Sequence, residues 1–178
     1  MKKYIFPIGV LILVGIIGFA ITHMTQPEKQ NDVKYIEGWK HISFDQTGNS
    51  YYIDMNTIVN DGYDSEKDEL LFHATFLKLY SNKGREELIK AYESNGVDTA
   101  QMSEVDHEID ILHFRDLSGI KYVTGAECKF YNSENVELPS INMAVTFEQS
   151  ETHAIPAKSI GENLYDYAYN RVKKDTEK

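Results

Sequence analysis

Cysteine is almost absent from this 178-residue chain: Cys128 stands alone. One thiol cannot close an intramolecular disulfide or build a cysteine-rich metal site. Its position mid-strand, on the expected core face, suits a core thiol; the other reading is a bond between two chains. Basic charge is also scarce, with 18 Lys and Arg against 28 Asp and Glu. Lys2 and Lys3 are the only charged residues among the first 24. Setting them aside leaves 16 basic against 28 acidic side chains, a balance of −12. That argues against nucleic acid, which needs a basic footprint, and against docking on anionic lipid headgroups. A cationic partner or a solubilising surface fits better.

Reactive motifs are missing as well. No glycine-rich phosphate loop follows a strand, and neither Gly-x-Ser-x-Gly nor His-Glu-x-x-His occurs. His107 and His113, six residues apart, would share a face of an unbroken strand, but about 20 Å apart. One zinc ion cannot span that distance. His41 and His73 could meet either of these two across neighbouring strands, which sequence alone does not determine. The run from Asn60 to Asp68 is rich in oxygen ligands but does not match the EF-hand pattern. No catalytic residue, cofactor or metal ligand is therefore assigned, and the chain reads as non-enzymatic.

What is present begins with a leader. Tyr4 to Ile21 is uncharged and follows the two lysines. Basic residues stay on the cytoplasmic side, so the rest of the chain is expected outside. The run lies between a signal-peptide core of about 7–15 residues and a spanning helix of about 20. Gly18-Phe19-Ala20 offers a cleavage site, although an uncleaved anchor is the preferred reading. No cysteine follows the run, which excludes lipoprotein processing. Residues 1–24 are thus a signal peptide or anchor, 25–36 a polar tether, and 37–174 the folded domain.

Within the domain, strands are predicted over Trp39–Phe44, Ser50–Met55, Leu70–Tyr80, Glu104–Phe114, Ile120–Tyr131 and Ile141–Phe147. Asn60 to Asp68 reads as an acidic surface loop. Leu88, Ile89 and Tyr92 recur at helical spacing within Gly84–Ser94, with Asn95-Gly96 as the stop. Ser159 and Glu162 form a capping-box pattern ahead of Ile160, Leu164, Ala168 and Val172. The expected fold is α+β: an antiparallel sheet of about six strands with the C-terminal helix on one face.

Two alternations matter for function. In Glu104–Phe114, Val105, His107, Ile109 and Ile111 are expected to face the core, while Glu104, Asp106, Glu108 and Asp110 face water. In Ile120–Tyr131, the residues Ile120, Tyr122, Ala126, Cys128 and Phe130 are expected on one side. Carboxylates two apart on a strand lie about 6.6 Å apart, a separation that general acid–base pairs use, yet no cleft is signalled. The candidate binding residues are Asp61, Tyr63 and Asp64 in the loop, with Asp106, Glu108 and Asp110 on the acidic strand face.

Gly38-Trp39, Ser50-Tyr51-Tyr52-Ile53-Asp54-Met55-Asn56-Thr57-Ile58 and Ile155-Pro156-Ala157-Lys158-Ser159-Ile160-Gly161-Glu162-Asn163-Leu164-Tyr165 resemble the opening and closing motifs of bacterial surface-adhesin protein E-like domains. The resemblance spans about residues 37–172. It departs from the family in lacking the paired cysteines that many members carry near Asp110-Ile111 and in the final helix. It implies an exported sheet-plus-helix domain and, less directly, a binding role towards host or envelope proteins, since a fold does not fix a function. Two other readings fit the same residues. One is an extracytoplasmic small-ligand carrier or enzyme with a site built from scattered residues; the other is an accessory subunit of a membrane complex.

The leader generates a direct test. Mass spectrometry of membrane and secreted fractions is expected to find the N-terminus intact in the membrane fraction. A product beginning at Ile21 would show that the leader is cut.

Overall fold

From Phe72 to Phe76 and from Glu108 to Phe114 every second residue is buried, and this alternation sets the architecture. The structure, a computed structural model, describes residues 33–94, 99–139, 143–144 and 152–176. The leader, most of the tether, the Asn95-Gly96 stop and most of the predicted Ile141–Phe147 strand lie outside the described residues. Among the described residues no helix is long and apolar enough to cross a membrane.

The strands are β1 (Trp39–Phe44), β2 (Ser50–Asp54), β3 (Val59–Asp64), β4 (Glu69–Leu79), β5 (His107–Leu117), β6 (Ile120–Tyr131), β7 (Met143–Ala144) and β8 (His153–Ala154). Helix α1 spans Asn82–Ser94, helix α2 spans Ile160–Thr176, and a short 3-10 turn covers Met102–Glu104. The strands form one antiparallel sheet in the order β1-β2-β4-β5-β6-β7. β3 lies beside β4, and β8 beside β6. The α+β fold is therefore as expected, with eight strands rather than about six.

One of the two extra strands replaces the expected acidic loop. Val59–Asp64 pairs with β4, with a bulge between Asn60 and Gly62. The Asn60 side chain accepts the Gly62 N–H at 2.9 Å, and Gly62 takes φ +138°. Charged residues suit this strand because it lies at an edge of the sheet. A tight Ser118-Gly119 turn, both residues at positive φ, joins β5 to β6, the twist that a two-residue hairpin prefers.

Both helices cover the same face of the sheet. Ile160, Leu164, Tyr165, Ala168 and Val172 of α2 pack on Tyr51, Ile53, Phe72, Phe76, Leu112, Phe114 and Val123. Each large apolar side chain removed from water here contributes about 1.5–3 kcal/mol. The helix begins as its sequence predicts: Ser159 Oγ accepts the Glu162 N–H at 3.1 Å. The Glu162 carboxylate reaches back to the Lys158 N–H at 2.7 Å. Lys121 Nζ then grips Glu162 and Asp166 at 2.9 and 2.7 Å, fixing α2 to β6. Helix α1 closes a second cluster of Tyr80, Tyr92, Met102, Val105, Phe130 and Leu138.

The two expected alternations need correction. On β5 the acidic residues Glu108 and Asp110 face inward and are buried, whereas Ile109 and Ile111 are half-buried on the other face. The reason lies further along the strand. Leu112 and Phe114 share the parity of Glu108 and Asp110, and their burial under α2 forces the acids to the same side. On β6 a bulge opposite Ile111 and Leu112 inserts one extra residue, because Ile111 pairs with Glu127 and Leu112 with Gly125. Parity flips there. Val123 and Phe130 thus both reach the helix-covered side, while Ile120 is 53% exposed.

The β1–β2 turn is bolted to α1. Buried Asp45 accepts bonds from the Thr47 and Asn49 N–H groups, the Thr47 hydroxyl, the Asn49 amide and the Tyr51 hydroxyl. Asn49 Oδ1 in turn accepts the Ser81 N–H at 2.9 Å, and Ser81 Oγ caps α1 by accepting the Gly84 N–H at 2.9 Å. Gly84 is required by contact: a Cβ there would lie 1.9 Å from Asn49 Oδ1. Alanine is ordinarily the better helix former by about 1 kcal/mol. Even so, Gly84→Ala is expected to destabilise the fold by about 1–3 kcal/mol through overpacking, read as a lower urea midpoint. An unchanged or higher midpoint would show that the turn and helix separate easily.

Candidate functional site

Chemistry-bearing side chains gather in two places, one on each face of the sheet. The first is a polar row inside the core. Lys78 of β4 stands opposite Glu108 of β5, and Asp110 stands opposite Cys128 of β6. Lys78 Nζ lies 3.2 Å from Glu108 Oε1. It also donates to the Tyr80 hydroxyl at 3.1 Å, and that hydroxyl donates to Glu108.

Two carboxyls and one ammonium in an apolar setting cannot all carry full charge at low cost. Burial, and then the neighbouring charge of Glu108, hold Asp110 well above the usual carboxylate range. Burial opposes the charge on Lys78, but Glu108, Asp110 and Asp45 outweigh it and keep the amine above its ordinary value. Burial first, and then the acids, push the Cys128 thiol well up. A thiol so disposed is a poor nucleophile. The row is thus an internally satisfied network beneath the helices.

The second cluster lies on the opposite face. β4 and β5 place His73 directly across from His113, with ring centroids 5.1 Å apart. The β3 bulge supplies the third member, Asp61. His73 Nδ1 lies 2.8 Å from both carboxylate oxygens of Asp61, and His113 Nδ1 lies 3.9 Å from Oδ2. The three side chains are about 30% exposed. One ligand atom from each falls within 4.8 Å of the others. Burial, followed by the neighbouring His73, lowers the pKa of His113, and Asp61 counters only in part.

Of the residues expected to bind, Asp61 alone joins this cluster. Tyr63 is 61% exposed on the edge strand and donates to Asp68 Oδ1 at 2.9 Å. Asp64 organises the β3–β4 turn by accepting the Glu66 N–H and pairing with Lys67. Asp106 lies 3.1 Å from His107 Nδ1 and lines a shallow polar hollow of about 350 Å³ with Arg85, Glu104 and Asn132. Glu108 and Asp110 are in the core. His41 is not paired with His107 or His113: it stands across from Tyr52 on β2. His107 stacks on Tyr131 at the far end of β5. His73 does meet His113, one of the two partners the sequence left open; the two residues are forty apart in sequence. Only the register of the two long strands brings them together.

The inner row makes stability depend on pH. Asp110 has an ordinary value of 3.8 and a raised value when folded. Between the two the native state holds a proton that the unfolded chain has released. Its contribution is therefore complete below about pH 4 and is lost as pH rises through the folded value. Asp110→Asn keeps the shape without the titration. It is expected to flatten this part of the stability–pH profile, measured by urea unfolding at a series of pH values; an unaltered slope would contradict the assignment. Lys78→Met leaves the carboxyls unmatched and is expected to cost about 3–5 kcal/mol.

Compared with known proteins, the chain matches no protein-family model and no curated sequence.

Proposed function

We propose that the chain is an exported binding module of the cell envelope, related to the surface-adhesin protein E-like domains and working without catalysis. Residues 1–24 hold it at the membrane or direct it across, and the folded domain faces the periplasm or the cell exterior. The partner is a host or envelope protein rather than nucleic acid.

One observation carries the reading: the two sheet faces divide the polar groups. Glu108 and Asp110, which could serve acid–base work, are buried, Cys128 beside them is half-buried, and the three are bonded to one another. Accessible groups instead decorate the edge strand β3, where Val59 and Tyr63 are 42% and 61% exposed. Exposed tyrosine beside acidic side chains is suited to protein contact, because its ring supplies area and its hydroxyl a hydrogen bond. The acidic balance of the domain favours a partner surface bearing basic residues.

The test uses the full chain in mild detergent against immobilised host matrix and serum proteins. Saturable binding is expected, weakened at least about fivefold, roughly 1 kcal/mol, by Tyr63→Ala, with no change in thermal midpoint. Absence of any binding above background, or turnover of a metabolite by the purified chain, would overturn the reading.

A further inference from the structure

We propose that Asp61, His73 and His113 form a binding site for one late first-row divalent cation, with zinc as the reference ion. The proposal does not rest on the adhesin-like reading; it rests on how three adjacent strands place these side chains.

Two imidazole nitrogens and one carboxylate are a donor set that suits zinc, copper or nickel, whereas calcium and magnesium prefer oxygen. The spacing agrees. Four ligands around zinc at about 2.0–2.1 Å stand about 3.3 Å from one another. The separations of Asp61 from His73 and His113, 2.8 and 3.9 Å, bracket that distance. All three ligand atoms fall within 4.8 Å of one another, so small side-chain rotations can bring them onto one ion.

The backbone holds the donors in place. His73 and His113 are direct partners in an eleven-pair ladder between β4 and β5, so neither can move far without breaking the centre of the sheet. Asp61 is the bulged residue of β3, between Asn60, paired with Phe72, and Gly62, paired with Leu71. A bulge re-aims the side chain it inserts, and here the carboxylate lies at hydrogen-bonding distance from His73. Gly62 and the Asn60 side chain stabilise the irregular backbone that this requires. A plain Asp–His hydrogen bond would account for Asp61 and His73. The β4–β5 register adds a second imidazole, its ring centroid 5.1 Å from the first. A cation satisfies both nitrogens and the carboxylate together. Three protein ligands leave a fourth position for water or a donor from a partner, the pattern of open rather than closed zinc sites.

The experiment uses the untagged full chain, stripped of metal, in equilibrium dialysis against zinc chloride with metal analysis. One zinc per chain is expected. His73→Ala, His113→Ala and Asp61→Asn should each weaken binding at least about tenfold, while His23→Ala in the leader should leave it unchanged. Calcium chloride at the same concentration should not compete. A substoichiometric zinc content, or affinity retained in both His73→Ala and His113→Ala, would overturn the proposal. A misfolded variant would also lose metal, so the unaltered chain supplies a second measurement. Zinc should protect His73 and His113 from diethylpyrocarbonate, read by peptide mass spectrometry, and leave the labelling of His41 and His107 as it was. Equal labelling of His73 and His113 with and without zinc would overturn the proposal regardless of the variants.

Discussion

Two carboxyls two residues apart on β5 must both point into the core, and among the described residues one ammonium group, that of Lys78, meets them. Lys78, Tyr80, Glu108, Asp110 and Cys128 resolve this constraint jointly. Glu108 takes the lysine and the phenol, and Asp110 retains a proton beside the thiol. Such a network adds little stability over an apolar core of equal shape, but it fixes register. Slipping β4 by one residue against β5 would turn Lys78 outward and leave two acids unmatched under the helices. The polar row thus selects one pairing of the central strands from among neighbours that hydrophobicity alone would tolerate.

The row also explains why the core is split. It crosses the sheet between the α2 cluster and the α1 cluster, so no single helix can cover the whole inner face with apolar side chains. Helix α2 takes the end rich in phenylalanine, anchored by Lys121 and by Tyr165 donating to Asp116. Helix α1 takes the end bearing Tyr80 and Phe130. Its position is set less by hydrophobic area than by the chain of bonds from Asp45 through Asn49 and Ser81. Asp45 accepts five hydrogen bonds with its two oxygens, one more than the roughly four lone-pair sites of a carboxylate, so its oxygens are fully engaged.

Much of this was legible in the residues. The Trp39–Phe44 hairpin, the long strands, the amphipathic helix around Leu88 to Tyr92 and the capped C-terminal helix all follow from local periodicity and turn chemistry. The facing of β5 did not. In its first half, isoleucines alternate with acids, and the isoleucines look like the core side. Leu112 and Phe114 outweigh them, because an unbroken strand has one parity and those two side chains lie beneath α2. The bulge in β6 is equally invisible locally: nothing around Ala126 announces an extra residue, and the ladder to β5 reveals it only through pairing. Polar content made Val59–Asp64 resemble a loop, since a strand at the sheet edge needs no apolar face of its own. The His73–His113 pair required a long-range register that no local window contains.

That register links the two faces. Lys78 and His73 are five residues apart on β4, and their partners Glu108 and His113 are five residues apart on β5. An odd separation puts the ion pair and the imidazole pair on opposite sides of the same ladder. The buried charges therefore do for the surface what no surface contact could do alone. By penalising every slipped pairing, they hold two histidines opposite each other at the half-exposed face. The β3 bulge then has only one carboxylate to place. A site built this way does not need a pocket to be well ordered. Its precision comes from the core behind it, and it stays open on the side where an ion or a partner would approach.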